Sequence, residues 1–220
     1  MAAWNLSILG GRLLFSQHLQ RLSLGRSCIP TCRSHVNSHS YAKRKISIAI
    51  DRISDSSEIM NCSFGPSSIY HYNVGTGAIN SGESGGLIDK STSNNGQDIT
   101  TLVTFTWPQA PAGKKCQFEF QLGNSDQLTG SKKVDVFTSH APAPGSRSGW
   151  GPGNQRNIHI GRITAKLGGL ATWDAKHNSY LTEPTACKAA GTVEGLELVG
   201  VNDNVHVSWG SGSGPRITFV

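Results

Sequence analysis

The segment Cys116-Gln117-Phe118-Glu119-Phe120-Gln121-Leu122 alternates apolar and polar residues without a break. Successive side chains of an extended chain project from opposite faces, so this pattern predicts a half-buried antiparallel strand. Cys116, Phe118, Phe120 and Leu122 would point inward, and Gln117, Glu119 and Gln121 outward. Val103, Phe105 and Trp107 repeat the period, as do Val205, Val207 and Trp209, then Ile217 and Phe219. Further strands are expected at Ile46–Ile50, Ile69–Val74, Lys133–Phe137, Ile158–Ala165, Ala171–Trp173 and Gly195–Val201.

Turn-forming clusters separate these runs at Ser91–Gly96, Pro108–Gly113, Asn124–Gly130, Pro142–Gly153 and Gly210–Pro215. Eight to ten short strands between such turns predict an all-β fold, an antiparallel β-sandwich or jelly-roll-like arrangement. Gly161 and Gly168-Gly169 are expected to mark a bulge or tight bend. Two sheets would pack their apolar faces together, with the Trp residues at strand ends supplying core rather than stacking on a ligand. No helical stripe of comparable quality follows residue 46, and neither an internal repeat nor a long linker divides the body. The chain therefore reads as residues 1–45, a non-globular extension, and residues 46–220, one β domain.

Charge separates the same two regions. The net charge is +6, yet residues 1–50 hold seven basic side chains and no acidic one. The remaining 170 residues carry 13 basic and 14 acidic groups, so the body is nearly neutral. A groove that follows phosphates needs Lys and Arg clustered on the body, where only pairs such as Lys114-Lys115 and Lys132-Lys133 occur. No nucleic-acid partner is expected. No run of 18 apolar residues occurs, which leaves no transmembrane helix.

The Arg- and Ser-rich front has the composition of a mitochondrial transit peptide. Its amphipathic stripe, Trp4, Ile8, Phe15, Leu19 and Leu22, is interrupted because Arg12 and Arg26 lie close to it. A secretory signal fits no better, since Arg12 breaks the apolar segment. A disordered extension, or a start placed too far upstream, accounts for it equally well.

Five cysteines occur: Cys28, Cys32, Cys62, Cys116 and Cys187. Cys28 and Cys32 have no second ligand pair placed to complete a zinc site. Cys116 and Cys187 are 71 residues apart, and a disulfide between them would suit an oxidising compartment, although spacing does not establish the pair. Asn61-Cys62-Ser63 and Asn5-Leu6-Ser7 are formal glycosylation sequons, and chance explains them equally well.

Motifs that carry chemistry are few. The histidines His18, His35, His39, His71, His140, His159, His177 and His206 are scattered, without H-E-x-x-H or paired C-x-x-C spacing, so no metal and no cofactor is expected. His206 alternates with Val205 and Val207 and belongs on a solvent face. Gly82-Glu83-Ser84-Gly85 and Gly210–Gly214 resemble fragments of a serine nucleophile elbow, but no helix follows either, and both read as turns. A glycosidase-type pair could lie among Asp126, Asp135, Asp174, Glu183, Glu194, Glu197 and Asp203, with no spacing that selects two.

The most distinctive stretch is Trp150-Gly-Pro-Gly-Asn154-Gln155-Arg156-Asn157. A Trp ring that stacks, beside amides and a guanidinium that donate hydrogen bonds, can hold a sugar or a peptide. Trp150, Asn154, Gln155 and Arg156 are therefore the candidate ligand-binding residues. The alternative is a structural loop in which Asn and Arg satisfy backbone carbonyls.

Together with Thr101–Pro108, Gly113–Leu122, Val134–Thr138, Ala171–Trp173 and Val205–Trp209, the Gly153–Asn157 segment resembles one known family. It is the C-terminal domain of the fungal ubiquitin-three-binding protein, and the resemblance covers about residues 60–220. The resemblance implies a β-sandwich behind a secretory leader, with the cysteines matching Cys116 and Cys187 bonded. The family name further implies binding to the activating enzyme of a ubiquitin-like modifier. No catalytic residue is carried over. This chain departs from the family at its front, where the Arg/Ser-rich segment replaces a hydrophobic leader.

Three functions follow as expectations. The first is a non-enzymatic structural or binding module of a secreted or cell-wall-associated fungal protein, with a glycan or protein ligand. The second is an intracellular adaptor that contacts the ubiquitin-like conjugation machinery. The third is a carbohydrate-active enzyme. An extracellular or cell-wall location agrees with the body, and a mitochondrial or cytoplasmic one with the N-terminus.

Overall fold

The computed structural model describes residues 31–32, 62–149 and 156–220. Within them the chain is all-β, and every strand pairing is antiparallel. The smaller sheet runs β1 (Thr31–Cys32), β2 (Cys62–Phe64), β15 (Gly214–Phe219), β6 (Lys115–Leu122) and β10 (Gly169–Leu170). A short β12 (Thr185–Ala186) also pairs with β6. The larger sheet runs β11 (Thr172–Lys176), β9 (Arg156–Thr164), β8 (Lys133–Ser139), β13 (Val193–Gly200), β5 (Ile99–Thr106), β4 (Gly86–Ser91), β14 (Asn204–Trp209) and β7 (Gln127–Gly130). A further strand, β3 (Ser68–Asn73), pairs with β5. This sheet curls into a half-barrel, and together the two sheets form a β-sandwich.

The alternation read in β6 is realised side chain by side chain. Cys116, Phe118, Phe120 and Leu122 are buried, while Gln117, Glu119 and Gln121 are only partly so. Across from them the curled sheet contributes Val103, Phe105, Val134, Val136, Leu196 and Leu198 to one core. Each fully buried side chain of this size contributes about 1.5–3 kcal/mol relative to exposure. Phe64 of β2 packs edge-on to Phe105 and Trp107, with ring centroids 6.0 and 5.4 Å away. Phe120 meets Trp209 edge to face at 5.1 Å. Trp107 and Trp209 are thus core residues, as their places at strand ends suggest.

Cys116 and Cys187 form a disulfide whose Cα atoms are 5.1 Å apart. It ties β6 to the segment that follows β12, closing a loop of 71 residues. Such a link stabilises by about 4 kcal/mol on a chain-entropy account. Cys62 is disulfide-bonded as well. Its register partner in the short β1–β2 ladder is Cys32.

Several strands differ from the reading of the sequence. β4 and β7 were not expected, and β7 occupies the end of the Asn124–Gly130 turn cluster. Both are short and are held by β14, which pairs with β4 over six residues and with β7 over four. Ile46–Ile50 lies outside the described residues. Gly161 does sit at an irregularity: the β8–β9 register steps from Val136↔Gly161 to Phe137↔His159. A Cβ there would overlap the Trp173 ring and the Ala175 carbonyl. The segments Gly82–Gly85 and Gly210–Gly214 connect strands without a helix, and they frame Trp209.

Trp209 sets a test of this packing. At Gly214 φ is 91°, and a Cβ would overlap the indole Nε1; at Gly212 φ is 92° with nothing nearby. Gly212→Ala is expected to cost about 1 kcal/mol from the backbone alone. Gly214→Ala is expected to cost about 2–4 kcal/mol, since overpacking adds to the same strain. Urea denaturation of the two variants measures the difference.

Candidate functional site

β13 carries two carboxylates three residues apart, and an odd spacing in a pleated strand sends them to opposite faces. Glu194 shares its face with Leu196 and Leu198, at the end of the sandwich. It accepts hydrogen bonds from Trp107 Nε1 at 3.1 Å, Tyr180 OH at 2.7 Å and Lys188 Nζ at 2.8 Å. The Lys188 ammonium also lies 5.1 Å from the Tyr180 ring centroid. Burial, then the hydrogen bond and charge of Glu194, push the Tyr180 phenol well above its ordinary range, so it remains a donor. This knot anchors the loop bearing Cys187 to the end of β5.

Glu197 points to the outer face of the larger sheet, yet its side chain is fully buried. It accepts from Thr100 Oγ1 at 2.8 Å and from Arg156 through Nε at 3.0 Å and Nη2 at 2.7 Å. The hydrogen bond to Glu197 raises the Arg156 pKa, against the opposing effect of burial. Tyr72, Ile79 and Leu102 form a second small apolar cluster on the described residues. There the backbone of Arg147 pairs with that of Ile79, at 2.8 and 2.9 Å. Burial first, and then the Glu197 charge, raise the Tyr72 phenol, while Arg156 works the other way.

From Arg156 a row of side chains crosses β8, β9 and the end of β11. The guanidinium carbon lies 4.8 Å from the Phe137 ring centroid. Phe137 stacks on His159 at 4.5 Å, and His159 meets His177 at 4.5 Å. Asp135 accepts from Arg162 at 2.7 and 3.0 Å and stands 3.2 Å from His159 Nε2. That hydrogen bond raises the Arg162 pKa. Next to it, hydrogen bonds from Lys133 Nζ (2.6 Å) and Thr164 Oγ1 (2.8 Å) hold the Asp174 carboxyl below the usual carboxylate range.

Of the four candidate ligand residues, Arg156 opens β9 at the foot of the loop, and Trp150, Asn154 and Gln155 lie outside the described residues. Arg156 engages a buried carboxylate and an aromatic face. Of the carboxylates considered for catalysis, Asp135 and Asp174 both act on Arg162. Asp126 accepts from the Gly123 and Gly210 amides, and Glu183 pairs with Lys176. Glu194 and Glu197 are on opposite faces. His206 is half-buried and sits between Asp89 and Gln127, 3.1 and 3.2 Å away. Among the described residues, no group of three or more His, Cys, Asp or Glu side chains is placed to hold a metal ion. No described helix is long and apolar enough to cross a membrane.

Fold and site together define a disulfide-fastened antiparallel sandwich, with a row of aromatic and ion-paired side chains on the outer face of its curled sheet. No protein-family model matches the chain, and no curated protein matches it significantly.

Two measurements check these networks. Arg156→Ala strands the buried Glu197 charge and is expected to cost about 2–4 kcal/mol. Adding Glu197→Gln should recover part of that loss in chemical denaturation. Asp174 has its folded pKa depressed, so its contribution is present above the unfolded carboxylate pKa of ~4 and fades as pH falls through the lower folded value. Asp174→Asn is expected to melt below the parent at neutral pH and to converge with it once the pH falls below the depressed folded pKa of Asp174.

Proposed function

We propose that this chain is a non-enzymatic structural or binding module, secreted or associated with a cell wall, that presents the loop Trp150–Arg156 to a glycan or protein ligand. The observation that carries this reading is the fixed foot of the loop. Arg156 is held by two hydrogen bonds to buried Glu197 and lies against Phe137. A recognition loop whose base is anchored loses less conformational freedom on binding, which is how rigid scaffolds favour affinity. Trp150, Asn154 and Gln155 then supply a stacking ring and amide donors in six residues.

Sulfur chemistry supports this compartment. Disulfides persist in oxidising surroundings, and both the Cys116–Cys187 link and bonded Cys62 agree with an extracellular site of action. The resemblance to the C-terminal domain of the fungal ubiquitin-three-binding protein supports the same location. The separate neutralisation of Glu194 and Glu197 favours reading them as structural groups rather than as an acid–base pair.

Glycan arrays and pull-downs from cell-wall and culture fractions test the proposal with the full chain. Trp150→Ala and Gln155→Ala are expected to reduce binding of any ligand found by about tenfold or more, the loss of one good polar or stacking contact. Undiminished binding in both variants would remove the loop as the contact surface.

A further inference from the structure

Between the edge of the smaller sheet and the start of β11 lies an open hollow of about 160 Å³. Phe118, Phe120, Leu170 and Trp173 form its apolar wall, and Gln117 and Glu119 its polar rim. Leu170 is 48% exposed at its mouth. The volume is many times what one water molecule needs.

The ladder along this edge of β6 is interrupted at the hollow. Odd-numbered residues bond toward β15, as the Lys115–Val220 backbone pair shows, so even-numbered residues turn their amides to the opposite edge. On that edge β12 pairs with Cys116 and β10 with Leu122. Between them the Phe118 N–H donates to the Leu181 carbonyl, and the Phe120 carbonyl accepts from the Ala171 N–H, each at 2.8 Å. The Phe118 carbonyl and the Phe120 N–H, two residues apart on the same edge, take no protein partner among the described residues. The Glu119 carboxylate likewise has no hydrogen bond or ion pair among the described residues, whereas the Gln117 amide donates to the Thr182 carbonyl.

We propose that this hollow is a saccharide-binding subsite, built from the Trp173 ring, the Glu119 carboxylate and the interrupted β6 edge at Phe118 and Phe120. A backbone acceptor and a backbone donor side by side call for a group that gives one hydrogen bond and takes another. A hydroxyl does both from a single atom. An added peptide strand would need a continuous run of edge, and Ala171 and Leu181 already occupy the flanking positions. Glu119 accepts from a second hydroxyl, and the apolar CH face of the sugar ring covers the indole and Leu170. Mostly apolar walls with a few convergent polar groups are the general makeup of small-ligand sites. The subsite uses none of the residues of the Trp150–Arg156 loop and does not depend on that loop binding anything.

The test is titration of the ¹⁵N-labelled full chain with maltotriose, cellotriose, laminaritriose and chitotriose, followed through the Phe120 amide and Trp173 indole resonances. At least one trisaccharide is expected to shift both. Glu119→Gln, a rim change that leaves the apolar wall intact, is expected to weaken that trisaccharide by about tenfold or more, the effect of losing a charged acceptor. Trp150→Ala is expected to leave the shifts unchanged. Absence of a Phe120 shift with all four sugars, or equal affinity in Glu119→Gln, would overturn the subsite. Loss of the shifts in a folded Trp150→Ala variant would overturn its independence and assign the binding to the loop.

Discussion

The rest of the molecule depends on apposing the inward faces of β6 and β15 to the curled sheet. Phe118, Phe120, Ile217 and Phe219 enter the core from one side and Phe105, Val136 and Leu196 from the other. Because the pleat repeats every two residues, a one-residue slip in β6 would exchange Phe118 and Phe120 for Gln117 and Glu119. The register of the smaller sheet is therefore fixed by burial, and the positions of its edges follow from it. The disulfide at Cys116 reinforces this strand at its first buried position.

Buried charge provides a second level of specification. Glu194 meets Lys188 and Tyr180 from the segment that leads into β13, and Glu197 meets Arg156 and Thr100 from elements 41 and 97 residues away. Desolvating a carboxylate is costly unless its partners are aligned, so these networks favour one arrangement over near alternatives more than they add net stability. Their placement on opposite faces of one strand makes β13 the element that registers the outer surface against the interior.

Much of this was legible in the chain and some was not. Alternation in β6 and β14 was clear because each buries one face and leaves the other partly exposed, whereas β5 and β15 alternate in side-chain type although residues on both of their faces are buried. β4 escaped notice because Gly86-Leu87-Ile88-Asp89 is short and follows a Gly/Ser turn, so its strand character comes from the ladder with β14. β7 was hidden for the same reason. At the site, Arg156 stood out by its neighbours, but its partner did not. Leu196 and Leu198 place Glu197 on the outward face, where a carboxylate would ordinarily be solvated. Its burial depends on Arg156, 41 residues away, and on Thr100 of a different strand, which no local pattern encodes. The stack of Phe137, His159 and His177 arises in the same way, from strands brought together only by folding.

The link between Cys116 and Cys187 spans β7 through β12, and both hairpin tips and long connections fall within that span. A protease that nicks the chain anywhere inside it cannot release a fragment while the sulfur bridge survives. The two pieces would remain one covalent body, paired strand to strand. Such a molecule outlasts a first clip in any surface loop of that span, and after a single cut its two pieces separate only when a reductant opens the bridge.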